Sequence, residues 1–123
     1  MTAASSTGSV LPGYRSGNGQ VKWQEIKPRE LSDFLAQAAI PLVLLDVRES
    51  YEYTQGHIQG AIHIPLNSLP EALTDLDPEQ AYVTICYSGS KARRAAAMLA
   101  EHGFSQVGVL LGGMDAWEGP TVR

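Results

Sequence analysis

The stretch AYVTICYSGSKARRAAAMLAEHG, residues 81 to 103, reads as a strand, a tight turn and a helix. AYVTIC is an apolar run of strand length. It ends at Cys86, and Tyr87, Ser88, Gly89, Ser90 and Lys91 follow before helical periodicity sets in. From Lys91 onward Ala92, Ala95, Ala96 and Leu99 recur at the spacing of one helical face, and Gly103 is placed as the C-terminal cap. A strand that feeds directly into a helix is half of a βαβ unit, the building block of a parallel sheet covered by helices.

The flanking sequence repeats that rhythm. VKWQEI is expected as a first strand, and Pro28 then opens the helix PRELSDFLAQA, with Leu31, Phe34, Leu35 and Ala38 on one face. PLVLLDV is a continuous apolar run, as in a central strand buried on both sides, and Asp46 ends it. A short acidic helix through ESYEYTQ is expected to stop at Gly56, and AIHIP makes a brief strand. NSLPEALTDL is expected as a helix capped by Asn67 or Ser68. VGVLLGG and a final turn MDAWEG complete the pattern. There is no internal repeat and no dividing linker, so residues 21–123 are expected to form one α/β domain. Residues 1–20, rich in Ser, Thr and Gly, are expected to be a flexible tail. Their near lack of acidic residues leaves an organelle transit fragment as the alternative.

Composition narrows the function. A formal charge of -4, with 18% charged residues, gives no broad basic surface for nucleic acid. No apolar stretch is long enough to span a membrane. A single cysteine cannot form an internal disulfide, which points to a reducing compartment, and the cytoplasm is expected. His57, His63 and His102 lack the spacing of metal ligands, so no metal and no cofactor are expected. A monomer is expected.

Ligands of open α/β sheets bind beyond the carboxyl ends of the strands, where Cys86 and the segment Asp46–Arg48 both fall. The small residues after Cys86 let backbone N–H groups converge on one point at a helix N-terminus, a nest that binds anions and favours a thiolate over a thiol. Cys86 is thus the candidate nucleophile, with Tyr87, Ser88, Gly89, Ser90 and Lys91 as the substrate-binding loop. The plainer alternative, a small buried hydrophobe that ends a strand, does not explain the Gly/Ser turn and the cations beyond it. A cysteine phosphatase loop would need His before the Cys and Arg after five intervening residues, and those places hold Ile85 and Ala92. Without an arginine fork, a tetrahedral phosphate would be poorly held.

Three segments together resemble the rhodanese-like sulfurtransferases across about residues 21 to 119: LLDVRESYEYTQGHIQGAIHIP, CYSGSKARRAAAMLAEHGF and LLGGMDAW. The resemblance implies a three-layer fold, a central, mainly parallel sheet with helices on both faces. It also implies a cysteine that carries sulfane sulfur as a persulfide. The donor would be a small anion such as thiosulfate, and the acceptor cyanide in vitro or a thiol or protein in the cell. Asp46 and Arg48 are expected to support the site through an ion pair or a bond to loop backbone. Lys91 stands where many members with this glycine pattern carry arginine; the charge is kept and the planar fork is not. Arg93 and Arg94 are read either as a solvated face or as anion steering. His57 is read as a hydrogen-bonded turn residue. The competing reading is a rhodanese-fold module that binds a partner or senses redox state without turnover. The intact cysteine loop favours the enzyme.

Overall fold

The computed structural model describes residues 23–37 and 41–123. The expected tail 1–20, the start of the first strand at Val21 and Lys22, and Ala38 lie outside the described residues. In chain order the elements are β1 (Gln24–Ile26), α1 (Pro28–Gln37), β2 (Val43–Asp46), α2 (Ser50–Gln55), β3 (Ile62–His63), α3 (Leu69–Ala72), β4 (Ala81–Ile85), α4 (Ser90–Glu101), β5 (Gln106–Leu110) and α5 (Gly113–Ala116). The strands form one five-stranded sheet in the order β1-β5-β4-β2-β3, and every described pair is parallel.

The apolar runs take the central places because a strand covered on both faces has no room for polar side chains. All of β4 is buried. Successive residues point to opposite faces. Tyr82 and Cys86 therefore join Leu45, Val47, Val107 and Val109 beneath α4 and Leu69, while Ala81, Val83 and Ile85 join Leu44 and Leu110 on the other side, with Leu31, Tyr53 and Met114. Helices thus cover both faces, α3 and α4 on one and α1, α2 and α5 on the other. Ala92, Ala95, Ala96 and Leu99 are the buried residues of α4, as their spacing predicts.

Two local expectations are corrected. NSLPEALTDL is not one helix; α3 is only four residues long, between the 3₁₀ turns Leu66–Ser68 and Leu73–Asp75, and Ser68 makes no side-chain cap. Pro70 has no N–H to donate and sits inside the first turn, which restricts where the segment can begin. At the end of α4 the cap residue is His102, one place before the expected Gly103, which follows it at φ +90°.

Tyr82 packs edge-on against Phe104, with ring centroids 5.4 Å apart, and its hydroxyl donates to Asp77 O at 3.0 Å. Burial, above all, raises its pKa above the ordinary phenol value. The unfolded chain therefore loses this proton before the folded one. The associated stability is intact below the ordinary phenol value and is lost as pH rises through the raised one. Urea melts at neutral and strongly alkaline pH should show a flatter alkaline decline for Tyr82→Phe than for wild type, after a cost of about 1 kcal/mol at neutral pH for the lost hydrogen bond.

Candidate active site

Strands β2 and β4 are neighbours, yet the helix after β2 packs on one face of the sheet and the helix after β4 on the other. Their connecting loops diverge, which makes the β2 and β4 ends the switch point of the sheet. The two segments singled out in the sequence both lie there. Val47 N–H donates to Ile85 O at 2.9 Å, which extends the β2–β4 pairing one residue beyond the strand end and fixes the two loops relative to each other.

Cys86 is the first residue after β4 and only 2% exposed, whereas Tyr87, Ser88 and Ser90 around it are exposed. Its Sγ accepts the Gly89 N–H at 2.9 Å. Gly89 precedes α4 with φ +116°, a conformation that residues with a β-carbon rarely adopt. That turn brings the chain back over the sulfur and delivers it to the helix start. The first N–H groups of α4 have no partner inside the helix, so its positive end faces the loop. The Thr84 hydroxyl donates to Ala92 O at 2.8 Å, tying the first turn of α4 to the central strand.

The loop is also held from behind. Met114 N–H donates to Cys86 O and Asp115 N–H to Tyr87 O, each at 2.8 Å. Because a trans peptide sets C=O and the next N–H in opposite directions, binding these carbonyls turns the N–H groups of Tyr87 and Ser88 away from α5. Gly113 makes the contact possible: at φ +61° it packs so tightly that a β-carbon would collide with the Cys86 and Tyr87 carbonyls. LLGGMDAW is thus more than a packing turn, since it orients the amides of the cysteine loop. Only the glycine doublet hinted at this in the sequence.

Asp46 is fully buried and Arg48 nearly so. Arg48 Nε donates to Asp46 Oδ1 at 3.0 Å, Nη2 to Oδ2 at 2.8 Å, and the Arg48 N–H to Oδ1 at 3.1 Å. Nη2 also donates to Gly56 O at 2.8 Å, fastening the end of α2. The pair braces the β2 loop from inside, and its side-chain bonds go to each other and to Gly56 rather than to the cysteine loop. His63 Nε2 bonds Arg48 O at 2.9 Å and its ring stacks on Tyr53, whose other face carries the ring of His57. His57 Nδ1 bonds Tyr53 O at 2.8 Å, in the manner of a turn residue.

Two of the three cations near the loop are ion-paired. Lys91 Nζ lies 3.5 Å from Glu49 Oε2, and Arg93 Nε donates to Glu25 Oε2 at 2.9 Å. The Arg93 guanidinium lies against Gly89. Arg93 is therefore a tertiary ion-pair member, while Arg94 is exposed. Tyr87 OH donates to Asp115 Oδ1 at 3.0 Å. That hydrogen bond, and then the Asp115 charge, hold the phenol above its ordinary pKa. Glu25, Glu49 and Asp115 escaped the sequence reading, because a carboxylate met across the fold leaves no local spacing signal. Among the described residues there is no group of three or more His, Cys, Asp or Glu placed to hold a metal ion, and no helix long and apolar enough to cross a membrane.

Residues 27–120 match the model of the Rhodanese-like domain. The chain is 45% identical over 80 residues to the "Putative sulfurtransferase YtwF" of Bacillus subtilis (strain 168), covering 65% of this chain and 77% of that one. It is 36% identical over 75 residues to the thiosulfate sulfurtransferase GlpE of Stutzerimonas stutzeri (strain A1501), covering 61% and 69%. The crystal structure of a rhodanese-like domain protein from Staphylococcus aureus superposes with a TM-score of 0.71 at 28% identity, over 76% of this chain and 90% of that one.

Proposed function

Because the chain belongs to the rhodanese-like domain family, we propose that it is a sulfurtransferase working through a Cys86 persulfide. The observation that carries the reading is the Gly89 N–H aimed at Cys86 Sγ at 2.9 Å, within a loop whose carbonyls are bound from behind. That main-chain donor, at the start of α4, puts the only sulfur nucleophile of the chain where an anion can be bound. The names of the relatives YtwF and GlpE support the same reaction class.

In the first half-reaction the Cys86 thiolate attacks the outer sulfur of a donor such as thiosulfate. The Sγ–S bond forms, the donor S–S bond breaks, and its electron pair leaves with sulfite. The persulfide adds a sulfur about 2.05 Å from Sγ, in a loop where Tyr87, Ser88 and Ser90 are exposed to an acceptor. Loop amides from Tyr87 to Lys91 stabilise its charge. In the second half-reaction a thiophilic acceptor attacks that outer sulfur and the bond pair returns to Sγ. With no second cysteine among the 123 residues, the persulfide cannot collapse to an internal disulfide and waits for an outside acceptor. Cyanide would serve in vitro and a thiol or protein thiol in the cell.

The test uses the wild-type chain. Incubation with thiosulfate should add the mass of one sulfur atom, and cyanide should then remove it as thiocyanate. If neither appears with thiosulfate, mercaptopyruvate or a persulfide donor, the binding or redox-sensing module becomes the better account.

A further inference from the structure

Most of the positive charge at the rim of the cysteine loop is met by carboxylates. Three cations lie on the first turns of α4: Lys91, Arg93 and Arg94. Three carboxylates from other parts of the fold meet the loop and these cations: Glu49 after β2, Glu25 in β1 and Asp115 in α5. Two of them sit on the cations themselves, and Asp115 presents a charge beside Tyr87 that no described ion pair offsets. A dianion arriving at Cys86 therefore meets little net attraction from side chains. The attraction left is that of the main-chain amides and the helix end, equivalent to about half an elementary charge.

We propose, on the premise that Cys86 is the sulfur-accepting nucleophile, that Glu49 and Asp115 set donor specificity and select against dianions. The favoured class is a sulfane sulfur carried on a small thiol, R–S–SH. The Cys86 thiolate forms the Sγ–S bond to its terminal sulfur, the R–S–S bond breaks, and R–S⁻ leaves with the bond pair while the proton stays on the transferred sulfur. Thiosulfate reacts by the same attack but must bring two negative charges past both carboxylates.

Charge compensation makes a quantitative prediction, because an electrostatic effect scales with the donor's charge and a structural one does not. The interaction with a carboxylate at the rim doubles when the donor's charge doubles, so the factor for a dianion is the square of that for a monoanion, roughly fivefold against roughly twofold at low salt. Glu49→Gln and Asp115→Asn keep the shape and an acceptor oxygen. Each should raise kcat/KM roughly fivefold for thiosulfate and roughly twofold for methanethiosulfonate, which leaves as methanesulfinate after the same attack. The gains should collapse towards unity at about 1 M salt. Wild type should be persulfidated at least about tenfold faster by a small alkyl persulfide than by thiosulfate, and the double variant should narrow that gap. Equal gains for both donors, or none, would overturn the proposal. Alkylation of Cys86 by iodoacetate relative to neutral iodoacetamide reads the same field without sulfur transfer, and both variants should raise that ratio. Absence of sulfur uptake from every donor would sink the function and the donor preference together; normal uptake with unmoved ratios would sink the preference alone.

Discussion

Cys86→Ser should yield a folded protein that neither takes up sulfur nor forms thiocyanate, its turnover at least about 10³-fold below wild type. The hydroxyl is nearly the shape of the thiol and can still accept the Gly89 N–H that bonds Sγ at 2.9 Å. What it lacks is a sulfur nucleophile that can hold a second sulfur, so the chemistry goes while the loop stays. Cys86→Ala separates the two roles further. It would leave the buried Gly89 N–H without its acceptor, at a cost of about 1–3 kcal/mol, so the alanine variant should melt below the serine variant although both are inactive. Thermal melts of the three proteins, beside intact mass after thiosulfate treatment, measure both effects. Residual uptake above about 1% of wild type in Cys86→Ser would mean that another group accepts the sulfur, and the assignment of position 86 would fall with it.

The parts of the molecule legible in its sequence are those decided by local chemistry. An apolar run ending in a thiol, a turn of small residues and alanines at helical spacing fix β4, the loop and the inward face of α4, because each is decided by neighbours within a dozen positions. PLVLLDV placed β2 centrally for the same reason. The segment from Asn67 to Leu76 reads as one helix but is not, because helical periodicity needs more than four residues to show and a proline interrupts the pattern. The contacts that shape the site's field were invisible for a different reason. Glu25 meets Arg93 from 68 positions away, Glu49 meets Lys91 from 42 and Asp115 meets Tyr87 from 28. Each joins side chains that would look merely solvated in sequence, and only the switch-point geometry brings them to one rim. Gly113 belongs with them, since its tight approach to the Cys86 carbonyl is a fact about two loops rather than one.

Asp46→Ala is expected to be the most destabilising of these single changes, and to be so without much altering the chemistry. The carboxylate has no solvent exposure and Arg48 only 6%, so the variant would leave a guanidinium buried with Gly56 O as its one remaining side-chain bond. Removing one partner of a buried pair costs about 3–5 kcal/mol, against a total stability of about 5–15 kcal/mol for a domain. For a fold near 100 residues that corresponds to a fall in Tm of roughly 15 °C or more. Sulfur transfer should respond differently. The carboxylate oxygens bond Arg48 and not the cysteine loop, and the link between the loops is the Val47 N–H to Ile85 O, a main-chain bond that the substitution spares. Well below the lowered Tm, KM for thiosulfate should stay within about threefold of wild type. The double variant Asp46→Ala with Arg48→Met should recover part of the loss, because the penalty lies in the orphaned charge rather than in the absence of a salt bridge. Urea melts of the wild type, both single variants and the double variant give the coupling directly. If Asp46→Ala melts with wild type, or if KM rises tenfold while stability holds, the pair is part of the donor site and its placement here as a brace is wrong.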